Sequence, residues 1–219
     1  MKIESFKDIK IYRMTHMVNI SHILKYGITH KSSKNANHNY HPIGDTSLID
    51  KRNDFSVNVS NGENNVKGSI ILGDFIPFYF GIKMPMLYVI QHGGNFVEYP
   101  ILPQDIVYMV CYIENLVKVC NNFYFPDGHA TDCLSCFYDS SKINDIISII
   151  NWDAITRSYW AGTDNLDIKR QKQAEFLIAE DVPYEFISYF GCYNLSAKEN
   201  LIQYGVNKEK IKIVPEAYY

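Results

Sequence analysis

Glu175 is the acidic residue whose sequence environment most clearly invites a chemical role. It lies within the apolar segment 174–179, where burial of an unpaired carboxylate would be costly. Gln173 stands two residues earlier and would share the same face of an extended strand. Together the two side chains would offer a carboxylate beside a neutral amide, aimed at a common ligand. The plainer alternative is an edge strand whose polar face meets water.

Three cations come just before this strand. Lys169, Arg170 and Lys172 all lie within six residues of Glu175. We call these three residues the cation lip, because they could bind phosphates beside the acid even in a protein of negative net charge. A run of solvated surface charges is the alternative interpretation.

Three further single residues are candidates for chemistry. Arg52 ends the segment 43–52, and His16 opens the first predicted helix, where it could cap that helix or contact a ligand. His129 follows Asp127 and Gly128 in a predicted turn. Each of these side chains is equally compatible with a structural role.

Common cofactor and catalytic motifs are absent. The sequence has no G-x-G-x-x-G or G-x-x-x-x-G-K-[ST], so it supports neither a Rossmann nor a P-loop nucleotide site. It also lacks H-E-x-x-H and G-x-S-x-G, which argues against a zincin or an α/β-hydrolase. Cys133 and Cys136 could form half of a zinc site, but no second pair completes it, and we predict no metal.

The positions of these residues depend on a set of short elements. Hydrophobic patterns predict strands over 11–14, 75–80, 105–112, 174–179 and 210–214. They predict helices from about 20 to Gly27, over 143–150, and from a capping box at 196–199 to about Gly205. The polar segments 31–40 and 53–68 read as long loops. Strands and helices alternate without a regular βαβ rhythm, which favours an α+β fold in one domain, 1–219.

Composition excludes several classes of protein. The chain has 47% apolar residues and 31 aromatic residues, so it is not intrinsically disordered. No stretch is long and apolar enough to span a membrane, and the first ten residues lack the apolar region of a signal peptide. Five cysteines, an odd number, then favour reduced thiols and a cytoplasmic location. The net charge of −3 argues against a protein that coats nucleic acid.

Taken together, these segments resemble the DarT family of bacterial toxins, which use NAD⁺ to ADP-ribosylate bases in single-stranded DNA. The resemblance covers nearly the whole chain in order, through segments 11–20, 43–52, 74–80, 85–88, 123–129, 151–153, 170–175 and 218–219. It implies an ADP-ribosyltransferase fold, with a split, curved central β-sheet, surrounding helices, and NAD⁺ bound as co-substrate in a cleft.

The resemblance also implies roles for individual residues. Glu175 matches the catalytic glutamate and Arg52 the catalytic arginine, with His129 supporting the site. Residues that would contact NAD⁺ are Arg13, Thr15, His16, Asn19, Arg52, Tyr79, Met86 and Gln173. The cation lip would contact the DNA. Thymidine is the expected target base. A guanosine in DNA, RNA or a protein acceptor is the nearest alternative, and a non-catalytic NAD-binding module is a second one.

Partners are implied in the same way. The resemblance implies a toxin–antitoxin system in which a macrodomain antitoxin removes the ADP-ribose. We expect a monomer with no membrane partner.

Overall fold

A mixed β-sheet runs through the computed structural model, which describes residues 4–94, 97 and 99–219. In chain order its strands are β1 (Lys10–His16), β2 (Ser56–Val59), β3 (Gly68–Ile71), β4 (Ile76–Tyr79), β5 (Ile106–Tyr112), β6 (Phe123–Pro126), β7 (Phe137–Asp139), β8 (Glu175–Ile178), β9 (Tyr189–Cys192) and β10 (Ile211–Ile213). They lie in the order β10-β9-β5-β1-β4-β8-β6-β7-β2-β3. The β9–β10 and β2–β7 pairs are parallel, and the other pairs are antiparallel.

The sheet divides between β1 and β4. Every residue of β1 has a partner in β5, from Lys10 opposite Tyr112 to His16 opposite Ile106. By contrast, β1 meets β4 through the single register pair of Tyr12 and Tyr79. The two strands therefore diverge on either side of this pair and leave a cleft. The predicted α+β fold with a split, curved central sheet is confirmed.

Short helices surround the sheet. Over the same described residues they are α1 (Ile20–Tyr26), α2 (Thr46–Asn53), α3 (Pro85–His92), α4 (Ile113–Leu116), α5 (Ile146–Ile149), α6 (Trp152–Thr156), α7 (Leu166–Lys172) and α8 (Leu195–Gln203). The first strand of the sheet begins at Lys10 and the last one ends at Ile213. The assignment of residues 1–219 to a single domain stays a prediction.

Burial of the central strands explains their composition. The residues of β5 up to Cys111 are buried, as expected for a strand that is covered on both faces and reads as a continuous apolar run. All four residues of β8 are buried, and β8 lies between β4 and β6. The alternative of a solvated edge strand around Glu175 is therefore wrong.

The predicted 53–68 loop is partly wrong. Ser56–Val59 forms β2 and pairs antiparallel with β3, which begins at Gly68. Val59 is buried against a small apolar cluster while the intervening turn is exposed, so only the residues between the two strands form a loop. Asn61 and Gly62 take positive φ angles of 55° and 76° there, as tight turns often require.

Two predicted helices have different boundaries. The segment 143–150 does not form one helix, because Ser140–Asp145 is a 3₁₀ helix and only Ile146–Ile149 continues as α5. Asn151 then accepts a hydrogen bond from the Ala154 amide and starts α6. Asn194 caps α8 by accepting from the Ala197 amide at 2.9 Å, so the predicted capping box at Ser196 is wrong by two residues.

Gly27 ends α1 in a conformation that other residues rarely adopt. Its φ is 78°, and a Cβ there would lie 2.1 Å from the Val182 carbonyl oxygen. We expect Gly27→Ala to lower the free energy of unfolding by more than about 1 kcal/mol, because both backbone strain and a backbone clash oppose it. Gly68→Ala is the matched control, since a Cβ at Gly68 meets nothing within 4 Å. Urea denaturation of both variants tests this; equal losses would contradict it.

Candidate active site

A cavity of about 390 Å³ opens in the cleft where β1 and β4 diverge. Its volume is within the range of pockets that bind small molecules. The wall includes side chains from β1, β4, β8, α2 and α3, together with the segment that follows α1. Among the residues that the sequence singled out, the cavity is lined by Arg13, Thr15, Asn19, Arg52, Tyr79, Met86, His129 and Glu175.

Helix α2 carries Arg52 to the cavity, and both of its ends are fixed. At the start, the buried Asp45 carboxylate accepts hydrogen bonds from the Ser47 amide at 3.0 Å and the Leu48 amide at 3.2 Å. At the other end, Gly73 packs so closely that a Cβ would lie 2.4 Å from the Asn53 carbonyl oxygen. These contacts fix the position of α2 and direct Arg52 toward β8.

Arg52 and Glu175 form a buried ion pair at the centre of the cavity wall. Arg52 Nη1 donates to Glu175 Oε1 at 3.1 Å, and Nη2 lies 3.0 Å from Oε2. The side chains are 16% and 2% exposed. Burial by itself would lower the pKa of Arg52, but the charge and hydrogen bond of Glu175 raise it overall.

Two atoms of this pair are without a hydrogen bond. Arg52 Nη2 and Glu175 Oε2 are close enough for an ion pair, but their angles do not meet the geometry of a hydrogen bond. Among the described residues they are the buried side-chain polar atoms that lack any hydrogen-bond partner. At 3.0 Å the two charges still attract each other, so this second contact is an ion pair without a well-aligned hydrogen bond.

Tyr79 and His129 flank the ion pair. Tyr79 lies opposite Glu175 in the β4–β8 register, and burial followed by the Glu175 charge raises the pKa of its phenol. His129 Nδ1 is 3.1 Å from the Thr131 hydroxyl, and the Ser135 hydroxyl donates to the His129 carbonyl at 2.8 Å. Because its phenol pKa is raised, Tyr79 is a neutral hydroxyl donor beside the Glu175 carboxylate.

The imidazole of His129 should make stability depend on pH. Burial lowers its pKa, so the folded protein keeps it neutral at a pH where the unfolded chain is already protonated. As pH falls below about 6.5 the unfolded state binds more protons, and the free energy of unfolding decreases. We expect His129→Gln to flatten this decrease between pH 7 and 5, whereas His38→Gln, at an exposed position, should not. Urea denaturation at each pH measures the free energy of unfolding. If both variants lose stability between pH 7 and 5 as steeply as the unmodified protein, the prediction is contradicted.

Arg13 and Thr15 reach the cavity from β1, and Met86 reaches it from α3. Arg13 Nη1 donates to the Pro77 carbonyl at 2.8 Å, so its guanidinium crosses the gap between β1 and β4. The predicted placement of these three side chains beside Arg52 and Glu175 therefore agrees with the structure, although their contacts with a ligand stay a prediction.

Asn19 lines the cavity but its amide is already engaged. Its Nδ2 donates to Thr15 Oγ1 at 3.0 Å and to the His41 carbonyl at 2.8 Å, while its Oδ1 accepts from the His41 amide at 2.9 Å. The side chain is 2% exposed. This geometry suits a residue that fixes the segment around His41 over the cavity, rather than one that contacts a ligand through its own amide.

His16 and Gln173 are not part of the cavity wall. His16 caps a 3₁₀ turn, packs 4.2 Å from the His41 ring, and lines a separate depression beside Asp105. Gln173 does not lie on β8, because its amide donates to the Arg170 carbonyl and extends the end of α7. Its side chain donates back to the Lys169 carbonyl at 3.1 Å. The expectation that Gln173 and Glu175 share one strand face is therefore wrong.

The cation lip does not form as predicted. Arg170 is buried between Asp127 and Asp167, to which it donates at 2.9 and 2.8 Å. Lys172 is 1% exposed and donates to the Ile155 carbonyl at 2.9 Å, and burial lowers its pKa to about 8. Only Lys169 is exposed. Two of the three cations thus hold α7 in place and are not available to phosphates.

The segment between α1 and α2 also forms part of the cavity wall, although the sequence did not predict this. Thr29, His30, Asn37, Tyr40 and Ile43 all line it. The segment is fixed by residues far along the chain, since Asp181 accepts from the His30 amide at 2.8 Å and from the Ser33 hydroxyl at 2.5 Å. Its unusual content of His, Ser and Asn was the available signal.

Residues 4–94, 97 and 99–219 contain neither a metal-binding cluster nor a membrane-spanning helix. No group of three or more His, Cys, Asp or Glu side chains there is arranged to hold a metal ion. In the same part of the chain, none of the helices has the length and apolar character that crossing a bilayer requires.

Comparison with known proteins places this site in context. Residues 12–219 match the family model described as ssDNA thymidine ADP-ribosyltransferase, DarT. A DNA ADP-ribosyl transferase of Thermus sp. (strain 2.9) is 29% identical over 198 residues, which cover 88% of this chain and 85% of the relative. A DNA ADP-ribosyl transferase of Escherichia coli O127:H6 (strain E2348/69 / EPEC) is 30% identical, covering 89% of this chain and 84% of the relative.

Solved structures of DarT proteins have a similar fold. Thermus sp. 2.9 DarT in complex with ADP-ribosylated ssDNA superposes with a TM-score of 0.80 at 25% identity and full coverage of both chains. Thermosipho africanus DarTG in complex with ADP-ribose gives a TM-score of 0.73 at 22% identity, covering 96% of this chain and 51% of that one.

Proposed function

The chain belongs to the DarT family of single-stranded DNA ADP-ribosyltransferases, and from this we propose that Arg52 and Glu175 carry the transfer of ADP-ribose from NAD⁺ to a thymidine base. The observation that carries the proposal is the buried Arg52–Glu175 ion pair in the cavity wall, in which Nη1 lies 3.1 Å from Oε1 and Nη2 lies 3.0 Å from Oε2. Stability alone is a weak explanation for such a pair, because the cost of desolvating two buried charges can exceed their attraction.

NAD⁺ suits this cavity as the donor substrate. It supplies an ADP-ribosyl group attached to a cationic leaving group, nicotinamide. The cavity of about 390 Å³ presents apolar walls from Met86 and Ile90 beside the guanidinium and carboxylate of the pair. That combination fits a ligand with planar rings, ribose hydroxyls and phosphates.

Glu175 would act by electrostatics. A carboxylate that is held in place by Arg52 and β8 can accept a hydrogen bond from a ribose hydroxyl and stabilise positive charge that develops on the sugar as nicotinamide leaves. Because the carboxylate is already desolvated and oriented, no rearrangement is needed at that moment. The bond from the ribose to nicotinamide breaks, and a new bond forms to a nitrogen of the base, which loses a proton.

Arg52, Tyr79 and His129 would support that step. Arg52 lines the cavity, and a guanidinium there can donate to a phosphate or base oxygen. Tyr79, kept neutral by burial, can donate a hydrogen bond inside the cavity. His129 is kept neutral by burial as well and can accept a proton, which is a capacity that a charged imidazole lacks.

The acceptor is tested by incubating the protein with NAD⁺ and one of four acceptors: single-stranded oligonucleotides, duplex DNA, RNA or denatured lysate protein. Mass spectrometry of oligonucleotides that differ at one base then identifies the modified residue. We expect ADP-ribose on thymidine in single strands only. Modification of guanosine, RNA or protein would replace the proposed acceptor, and NAD⁺ that stays intact with every acceptor would overturn the assignment.

Two partner assignments complete the proposal. By resemblance to its family, the chain would act as a toxin neutralised by a macrodomain antitoxin that removes the ADP-ribose. We propose a monomer as the default state.

A further inference from the structure

Four aromatic rings form a partly exposed group on the outer side of α3. This aromatic cluster consists of Tyr88, His92, Trp160 and Tyr219. Tyr88 stacks on His92 with centroids 4.2 Å apart and planes 16° apart. It also makes edge contacts with Tyr219 at 5.3 Å and with Trp160 at 6.0 Å. Tyr88 is 43% exposed, so part of this ring surface faces solvent.

Hydrogen bonds hold the cluster in a fixed arrangement. Trp160 Nε1 donates to Tyr219 Oη at 2.8 Å, and Tyr219 Oη donates to the Lys83 carbonyl at 2.6 Å. The Tyr219 amide donates to Gln91 Oε1 at 3.0 Å. The rings are therefore preorganised, which reduces the entropy that a bound ligand would have to overcome.

Two lysines lie over these rings. Lys83 Nζ is 5.6 Å from the centroid of Tyr219, and Lys169 Nζ is 5.5 Å from that of Trp160. Neither ammonium forms an ion pair with a carboxylate of the described residues. Lys83 has a positive φ of 52°, a conformation that glycine or asparagine would adopt more easily, so its side chain is placed here at a conformational cost.

The cluster lies close to the cavity. Met86 and Ile90 of α3 line the cavity, whereas Tyr88 and His92 are each offset by two residues and face the other side of the same helix. A helix is about 10 Å across, so one helix width separates the rings from the cavity wall. This separation is within the reach of nucleotides that flank a base held in the cavity.

We propose that the aromatic cluster, together with Lys83 and Lys169, binds the single-stranded DNA that flanks the base in the active site. This inference rests on the proposed function, since it takes the same DNA as its ligand. Exposed rings that stack bases, interleaved with cations that contact phosphates, are the features by which proteins bind single strands without reading their sequence. They also supply the local positive charge that a protein with a net charge of −3 needs for a nucleic-acid substrate.

The test measures fluorescence anisotropy of a labelled thymidine-containing oligonucleotide with the full chain over a range of salt concentrations. Lys83→Gln/Lys169→Gln should reduce the slope of log affinity against log salt by about 1.4, because two phosphate contacts are lost. Tyr88→Ala and Trp160→Ala should each weaken binding by about tenfold at constant salt. Trp160→Phe, which keeps a ring but loses the hydrogen bond to Tyr219, provides a second variant if Trp160→Ala does not fold.

The matched control is Lys7→Gln/Lys208→Gln, which removes the same charge from two exposed lysines that do not line the cavity. It should leave the salt slope and the affinity near those of the unmodified chain. If the cluster variants bind DNA as tightly as this control, the inference is overturned while the proposed function stands. If the unmodified chain neither binds nor modifies single strands, both are overturned.

Discussion

Glu175→Gln is expected to lower the rate of ADP-ribose transfer by about 100- to 1,000-fold or more while leaving the protein folded. The substitution keeps the size of the side chain and an oxygen that can accept from Arg52 Nη1, which now donates at 3.1 Å. It removes the negative charge that would stabilise the cationic sugar. Loss of one preorganised electrostatic group has effects of this order in other enzymes.

The measurement is single-turnover transfer to an excess of oligonucleotide, read by mass spectrometry and accompanied by a urea denaturation curve. Glu180→Gln is the control, since Glu180 is exposed and two residues beyond β8. A Glu175→Gln protein that transfers at more than a tenth of the original rate would show that the carboxylate is not the electrostatic catalyst.

The sequence predicted correctly those residues whose position is determined by their neighbours in the chain. Glu175 could be found because an acid inside an apolar strand is a local anomaly, and its burial at 2% follows from the central place of β8. Gln173 was misplaced because it lies two residues before the start of β8. Hydrogen bonds from the Gln173 and Ala174 amides to the Arg170 and Gln171 carbonyls extend α7 up to the start of the strand. Periodicity alone does not locate such an end.

Long-range partners account for the other differences. Whether Arg170 and Lys172 face solvent depends on Asp127 and on the Ile155 carbonyl, which are distant in sequence. From its local sequence alone, the segment 170–172 is indistinguishable from a run of solvated surface charges. Similarly, the aromatic cluster joins Tyr88, Trp160 and Tyr219, and no window of sequence contains all three.

Arg52 offers the sharpest separation between stability and catalysis. Arg52→Ala should lower the free energy of unfolding by about 3–5 kcal/mol, because it leaves the Glu175 carboxylate buried without its partner. Adding Glu175→Gln should restore much of that loss, since an uncharged amide costs far less to bury. Both Arg52→Ala and the double variant should nevertheless be inactive in transfer.

Urea denaturation of the single and double variants measures this coupling, which should exceed about 1 kcal/mol for side chains in direct contact. Additive losses would mean that the two side chains do not depend on each other for stability, which would contradict a coupled buried pair. Recovery of stability without recovery of transfer is the result that the geometry requires. Buried ion pairs are often no more stable than apolar replacements, so stability alone does not explain why this pair lies in the cavity wall.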